Sequence, residues 1–362
     1  MKKKIFNRDQ MDEIRIGLEE GLDVSKYNQL DPQGYPIYDA HQMHLILTGL
    51  KKGLDISQYN QLDSHGHPIY DGNQMFAILD GLEHGLDVSQ YNQLDSHGHP
   101  IYDAHQMDEI SMGLNHGLDI SQYNQLDPQG YPIFDGPQMS EICQGLNDGL
   151  DVSQYNQLDS NGHPIYNASQ MFSIRRGLEK GLDVSIYAKQ NNFNRPIFNS
   201  EQMFLICRGL EKGLDVSKYN QLDPQGYPIF NWEQMSEIRE GLEEGLDVSK
   251  YNQINHGGYP IFNWGQMDEI RKGLKQGLDV SQYTQLDPQG HPIFEWGQMD
   301  EIRKGLKHGL DVSRYTHLAS KSSLSDFDKT PTDLQDSKVI NEYNKSSHTP
   351  SESQSKSHSL TK

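Results

Sequence analysis

The chain has 362 residues, a formal net charge of −20 and only two cysteines. So acidic a surface repels phosphate backbones, which argues against broad nucleic-acid binding, and it favours solubility and basic partners. The sequence contains no run of about 20 apolar residues, which is the length needed to span a membrane. No apolar stretch follows the first four residues as it would in a signal peptide, so a cytoplasmic protein is expected.

The dipeptide Gln-Met recurs every 32 residues without slippage, which is typical of a stacked array of identical units. We therefore predict a mainly α-helical fold with small β-hairpins, an open tandem-repeat solenoid of ten helix–turn–hairpin units. The ten copies are Gln10-Met11, Gln42-Met43, Gln74-Met75, Gln106-Met107, Gln138-Met139, Gln170-Met171, Gln202-Met203, Gln234-Met235, Gln266-Met267 and Gln298-Met299.

Each unit begins with a helix-start signature, which unit eight illustrates. Asn231 is a suitable N-cap, and Gln234 falls at the third helical position, where it can complete a capping box. Phe230 before the cap and Met235 at the fourth position are placed to form a hydrophobic staple. All ten units keep this order, with Glu295 as the one unusual cap residue.

The helix should continue through Ile238 and Leu242, which form one apolar stripe with the methionine. Gly245 is a good residue for ending it in a left-handed conformation. Gly241 lies inside the helix at a cost of about 1 kcal/mol relative to alanine. We expect it to permit close backbone approach between neighbouring units; the alternative is a helix that ends at Gly241.

A short turn and a hairpin should complete the unit. Asp247 is placed to cap one helical or 3₁₀ turn that directs Tyr251 inward. The hairpin before a helix, as in the Asp-Pro-Gln-Gly segment ahead of the Asn231 cap, fits a type I turn that ends at Gly226. Unit six has Asn194 in the position of that glycine, and asparagine best tolerates the same left-handed backbone.

One unit of this size cannot bury enough apolar surface to fold alone, so stacking must supply the rest. We expect residues 1–316 to form the array and residues 317–362, rich in serine and lysine, to be a disordered tail. Within the array, residues 1–266 hold 37 acidic and 18 basic residues. Cys143 and Cys207 lie two units apart, too far for a disulfide.

Aromatic and basic residues of the last three units form one candidate partner-binding patch. A row of partly exposed tryptophans would make a recognition stripe; the alternative is that they pack on the adjacent unit beside a solvated basic helix face. Phenylalanines that follow Gln-Met in three other units are further candidates, or they bury against a neighbouring hairpin. The candidates are Trp232, Trp264, Trp296, Arg271, Lys272, Arg303, Lys304, Phe76, Phe172 and Phe204.

Histidines and aspartates recur in the hairpins and turns. Ser-His-Gly-His could bind a transition metal with Asp63 or Asp95, but other units carry Gln-Gly-Tyr there, so no metal is expected. The recurring aspartates lack the run of ligands that a calcium loop needs, and capping explains them. No serine elbow, phosphate loop or zinc-protease motif occurs, so neither enzymatic activity nor a cofactor is expected.

The string Gln-Met-x-x-Ile-Arg-x-Gly-Leu-x-x-Gly-Leu-Asp-Val-Ser-x-Tyr is clearest at residues 170–187, 234–251 and 266–283. It resembles tandem repeats of uncharacterised bacterial proteins, which are often associated with mobile elements or phages; that resemblance implies no activity. Asp-x-x-Gly-x-Pro-Ile and Gly-Leu-Asp-Val are superficially similar to ankyrin repeats, although threonine is absent and the hairpin is longer.

These observations favour a non-enzymatic scaffold that binds protein or peptide partners along an extended face. The alternatives are a structural spacer or surface protein of a bacterium or phage and, as a weaker hypothesis, a ligand- or metal-binding array. Function carried by side chains should lie in the positions beside Gln-Met that change from unit to unit.

Overall fold

The computed structural model describes residues 6–313 and residue 316. Those residues form ten α-helices in register with the sequence repeat, and a 3₁₀ turn follows each of the first nine. The helices are α1 Arg8–Glu19, α2 Ala40–Lys51, α3 Gly72–Glu83, α4 Ala104–Asn115, α5 Gly136–Asn147, α6 Ala168–Glu179, α7 Ser200–Glu211, α8 Trp232–Glu243, α9 Trp264–Lys275 and α10 Trp296–Lys307. The 3₁₀ turns are Val24–Lys26, Ile56–Gln58, Val88–Gln90, Ile120–Gln122, Val152–Gln154, Val184–Ile186, Val216–Lys218, Val248–Lys250 and Val280–Gln282.

The described residues form two compact units, which divide between Arg271 and Lys272. In the first, each helix from α1 to α7 packs against the next one along the chain, which is the nearest-neighbour arrangement of a solenoid. The second, within its described residues, repeats the same 3₁₀ turn, antiparallel bridge and helix. The predicted tandem-repeat fold is confirmed. The tail predicted to be disordered, 317–362, lies outside the described residues.

The helices begin as the capping signature predicts. In α8 the backbone N–H of Gln234 donates to Asn231 Oδ1 at 2.9 Å, and the backbone N–H of Asn231 donates to Gln234 Oε1 at 3.1 Å. Phe230 and Met235 are fully buried beside this cap. Because loss of a cap side chain costs about 0.5–2 kcal/mol, each unit fixes its helix start locally.

The same glutamine also joins neighbouring units, which the sequence analysis did not foresee. Gln234 Nε2 donates to the backbone carbonyl of Phe262, the aromatic residue before the next helix, at 2.9 Å. Equivalent bonds of 2.8–3.1 Å begin at Gln10, Gln42, Gln74, Gln106, Gln138, Gln170 and Gln202. These amides are buried, so an unpaired one would cost about 1–3 kcal/mol.

A tyrosine of the same unit explains the glycine inside each helix. A Cβ on Gly241 would lie 1.9 Å from Tyr251 Oη, and this buried hydroxyl donates to the Glu237 carbonyl at 3.1 Å. The expectation that the glycine permits close backbone approach between units is therefore wrong. The alternative, a helix that ends at Gly241, is also wrong, because α8 continues to Glu243 and the left-handed residue is Gly245.

The turn and hairpin also follow the predicted chemistry. Asp247 caps its 3₁₀ turn through the Ser249 backbone N–H at 3.2 Å, and Asn194 adopts the predicted positive φ of 54°. Within the described residues each hairpin is held by one isolated antiparallel bridge and has no extended strand. The bridges are Leu30↔Pro36, Leu62↔Pro68, Leu94↔Pro100, Leu126↔Pro132, Leu158↔Pro164, Gln190↔Pro196, Leu222↔Pro228, Ile254↔Pro260 and Leu286↔Pro292.

The two cysteines lie on α5 and α7 as small core residues. Both thiols are free and buried, and burial raises the pKa of Cys143 and of Cys207. A raised pKa keeps a thiol protonated and unreactive. Their predicted role as apolar side chains is consistent with this environment.

Candidate functional site

A groove of about 730 Å³ crosses α4 to α8. Its lining comes from helix positions one, two, five and six, counted from the first residue of each helix. These positions flank Gln-Met and vary from unit to unit. The glutamine itself caps the helix, and the methionine is part of the core. The groove has the size of an ordinary ligand-binding cleft.

Three aromatic side chains provide the apolar part of the groove. Phe172 and Phe204 stand at the fifth position of α6 and α7, and Trp232 is the first residue of α8. Phe204 and Trp232 are 41% and 45% exposed. The small residues Ala168 and Ser200 line the same groove. A contiguous exposed apolar surface of this kind is characteristic of an interaction site.

The charged groups of the groove are mainly carboxylates. Glu141 accepts a hydrogen bond from Arg175 Nε at 2.7 Å, and the Arg175 guanidinium also lies 5.6 Å from the centre of the Phe172 ring. Glu201 is exposed and forms no ion pair with any of the described residues. His105, at the α4 end, has a half-exposed side chain. The groove therefore combines aromatic surface with an unneutralised negative charge.

The other predicted aromatic candidates lie outside this groove. Trp264 and Trp296 begin α9 and α10 and are 53% and 58% exposed. Phe76, at the fifth position of α3, is 52% exposed. Each remains accessible to solvent and available to a partner.

The predicted basic candidates are largely engaged within the protein. Arg271 donates to Glu237 at 2.7 Å and pairs with Glu240 at 3.0 Å. Although burial opposes its charge, these carboxylates raise the pKa of Arg271. Arg303 is buried and pairs with Asp300 at 2.6 Å. Lys304 is half exposed and pairs with the same aspartate at 2.7 Å, while Lys272 is partly buried.

The histidine-rich hairpins do not assemble ligands. In the part of the chain that the structure describes, no group of three histidine, cysteine or acidic side chains could hold a metal ion. His67 Nδ1 lies 3.6 Å from Asp63, and His99 Nδ1 lies 3.6 Å from Asp95. These aspartates accept the backbone N–H groups of their own turns, so they act in hairpin formation.

A second groove, of about 820 Å³, lies at the starts of α1 to α3. It is lined by residues that recur in most units, such as Pro36, Ile37 and Gln42. Because the same lining residues recur in most units, this groove is a general feature of the repeat and does not indicate a specific site. The groove across α4 to α8 is lined instead by positions that vary from unit to unit, and it brings two phenylalanines and a tryptophan together.

Exposed hairpin tips form a surface that the sequence analysis missed. Tyr35, Tyr131, Tyr227 and Tyr259 precede the bridge prolines and are 58–70% exposed. Phe193, two residues earlier in its hairpin, is 80% exposed. The sequence does carry a signal for this surface, because tyrosine or histidine recurs directly before the proline of most hairpins.

No protein-family model matches the sequence, and no curated protein or solved structure gives a significant match. Among the described residues, none of the helices has the length and apolar character needed to traverse a bilayer.

Proposed function

We propose that the chain is a non-enzymatic repeat scaffold that binds a peptide segment of a partner protein in the groove across α4 to α8. The observation that supports this most directly is the convergence of Phe172, Phe204 and Trp232 on one groove. Helices that pack at about 8–10 Å make four spacings about 32–40 Å long. That length suits about ten to twelve residues of extended peptide.

Charge complementarity defines the occupant as a peptide with apolar anchors and basic residues. Glu201 lies beside the aromatic side chains without an ion-pair partner among the described residues. The surrounding residues 1–266 carry 37 acidic against 18 basic residues. Such a field favours encounter with basic segments and disfavours acidic ones.

The repeat itself supplies substitutions for the test. Serine occupies the fifth position of α5 and α8, as Ser140 and Ser236, and Ser200 begins α7. The triple variant Phe172→Ser, Phe204→Ser, Trp232→Ser therefore places in each position a residue that the fold already accepts. Phe76→Ser makes the same change outside the groove and is the matched control.

Full-length wild-type protein and both variants would be used to select binders from a displayed library of random 12-residue peptides. Wild type and the Phe76→Ser control should select the same aromatic- or leucine-containing basic peptides. If each aromatic contributes about 2 kcal/mol as an interface anchor, one loss weakens binding about 30-fold, and the triple variant should bind none. Peptides that bind the triple variant equally would contradict the proposal.

A structural spacer is the second candidate, favoured by the recurrence of the glutamine bond from Gln10 to Gln234. Such uniform interfaces maintain length without any specific surface. This alternative predicts that no selected peptide depends on the groove residues.

A further inference from the structure

Paired glutamate and arginine residues connect neighbouring helices in the first compact unit. The glutamate occupies the sixth helix position, and the arginine occupies the eighth position of the next helix. Arg175 Nε donates to Glu141 at 2.7 Å, and Arg271 Nε donates to Glu237 at the same distance. The chain thus shows, in two places, which cation fits a carboxylate in this position.

Glu109 stands in the same position of α4 but lacks this cation. The eighth residue of α5 is Cys143, whose Sγ donates to the Glu109 backbone carbonyl at 3.8 Å and also interacts with the Tyr123 side chain. Glu109 is 5% exposed, and its Oε2 has no hydrogen-bond partner, although Ser140 and His105 interact with the carboxyl group. Burial raises the pKa of this carboxyl. Buried carboxylates are normally paired, so an unpartnered oxygen calls for an explanation.

The α4 end of the groove lies next to this carboxylate, although Glu109 itself does not line the groove. His105 Nε2 lies 3.5 Å from Glu109 Oε1, and His105, Pro137 and Ser140 line the α4 end of the groove. The His105 ring rests against Gly136, where a Cβ would lie 2.6 Å from the ring. Its side chain is half exposed, and exposed side chains change rotamer within nanoseconds.

We propose that Glu109 is a cation-binding subsite that receives an arginine side chain of the peptide bound in the groove. The guanidinium takes the place that Arg175 and Arg271 occupy beside their own glutamates, and His105 rotates aside to admit it. This inference rests on the proposed peptide-binding function and adds a specificity determinant to it.

The helix spacing sets the position of this arginine within the peptide. Phe172 is on α6, two helices from α4, which at packing distances of about 8–10 Å places it about 16–20 Å from Glu109. An extended chain covers that distance in about five or six residues. Selected peptides should therefore carry arginine about five residues from an aromatic or leucine anchor.

Two substitutions remove the subsite in different ways. Cys143→Arg supplies an internal partner for Glu109, as Arg175 does for Glu141, and Glu109→Gln removes the charge while keeping the shape. Neither changes the aromatic groove. The random 12-residue library would be selected against full-length wild type, both variants and the triple groove variant, after circular dichroism has shown equal helix content.

Wild type should enrich arginine at the stated spacing, and both subsite variants should retain the apolar pattern but lose that enrichment. In the peptide that binds the wild-type protein most tightly, replacement of the arginine by citrulline should weaken binding about tenfold or more. That is the loss expected for a buried charge-assisted hydrogen bond. Binding to the Cys143→Arg variant should change less than about twofold.

Equal arginine enrichment on wild type and on both subsite variants would overturn the cation subsite and leave the groove intact. Two results would overturn the proposed function together with the subsite. One is a set of selected peptides that bind the triple groove variant as tightly as wild type, and the other is a selection on wild type that yields no peptide. The two failures are therefore distinguishable.

Discussion

The contact between Gly241 and Tyr251 predicts a strong coupling between two substitutions. In Gly241→Ala the added Cβ would lie 1.9 Å from Tyr251 Oη and 3.1 Å from Val248 Cγ1. The ring must move and lose its bond to the Glu237 carbonyl. Overpacking costs about 1–3 kcal/mol and the lost hydrogen bond about 1 kcal/mol, while alanine recovers about 1 kcal/mol of helix propensity.

Gly241→Ala should therefore lower the free energy of unfolding by about 1–3 kcal/mol. Tyr251→Phe alone removes one hydrogen bond, at a cost of about 1 kcal/mol. In the double variant the hydroxyl is gone, the nearest ring atom lies 3.2 Å from the new Cβ, and the alanine benefit remains. The double variant should be within about 1 kcal/mol of wild type.

Urea denaturation followed by circular dichroism measures all four proteins, and the fluorescence of Trp232, Trp264 and Trp296 adds a signal from units eight to ten. The double-mutant cycle should give a coupling energy of at least about 1 kcal/mol in favour of the double variant. Additive losses would refute the reasoning, because they would mean that the glycine is required by something other than the tyrosine hydroxyl. Gly245→Ala is a useful contrast, since nothing lies near its Cβ but its φ is +70°.

Three further predictions concern single residues. Gln202→Glu keeps an acceptor for the helix cap but sets a carboxylate against the Phe230 carbonyl, and urea denaturation should show a loss of about 2–3 kcal/mol; an unchanged midpoint would contradict the inter-unit bond. Because burial raises the pKa of Glu109 above its ordinary value of 4.5, the contribution of this one group to stability is greatest when it is protonated and falls as pH rises through its folded-state pKa. Glu109→Gln should therefore melt higher than wild type at pH 7, and the difference should shrink below pH 4.5; a constant difference across this range would argue against a buried charge. Cys143 and Cys207 should react with a thiol reagent at pH 8 only after unfolding in guanidinium, and rapid reaction of the native protein would contradict their burial.

The sequence predicted the features that depend on local chemistry. Asn231, Gln234 and Gly245 act through residues a few positions away, so their spacing is enough to place a helix start and a helix end. The left-handed Asn194 was predicted for the same reason: backbone sterics restrict which residues can replace glycine there.

Features that depend on the packing between elements could not be obtained from spacing. Gly241 was correctly recognised as unusual, but only the folded chain shows that Tyr251 crosses above it. The second bond of Gln234, to Phe262, spans 28 residues and follows from no local rule.

The candidate site was predicted in part. Phe172, Phe204 and Trp232 had been named, but as members of two separate groups, and the structure brings them into one groove. Glu109 was missed because its sequence motif is ordinary. Glu109 is distinguished by its burial together with the absence of an arginine on the following helix. The missing arginine is seen only when position eight of one unit is compared with position six of the previous one.

The inter-unit glutamine bond bears on how such a chain can change during evolution. Its acceptor is a backbone carbonyl, which is present whatever side chain stands at that position. A block of 32 residues can therefore be duplicated or lost by recombination, and the new neighbours find this bond without any matched substitution. Glutamate and arginine pairs lack this freedom, since each needs its own partner. A glutamate without its arginine, as at Glu109, is the trace such an exchange would leave in a lineage.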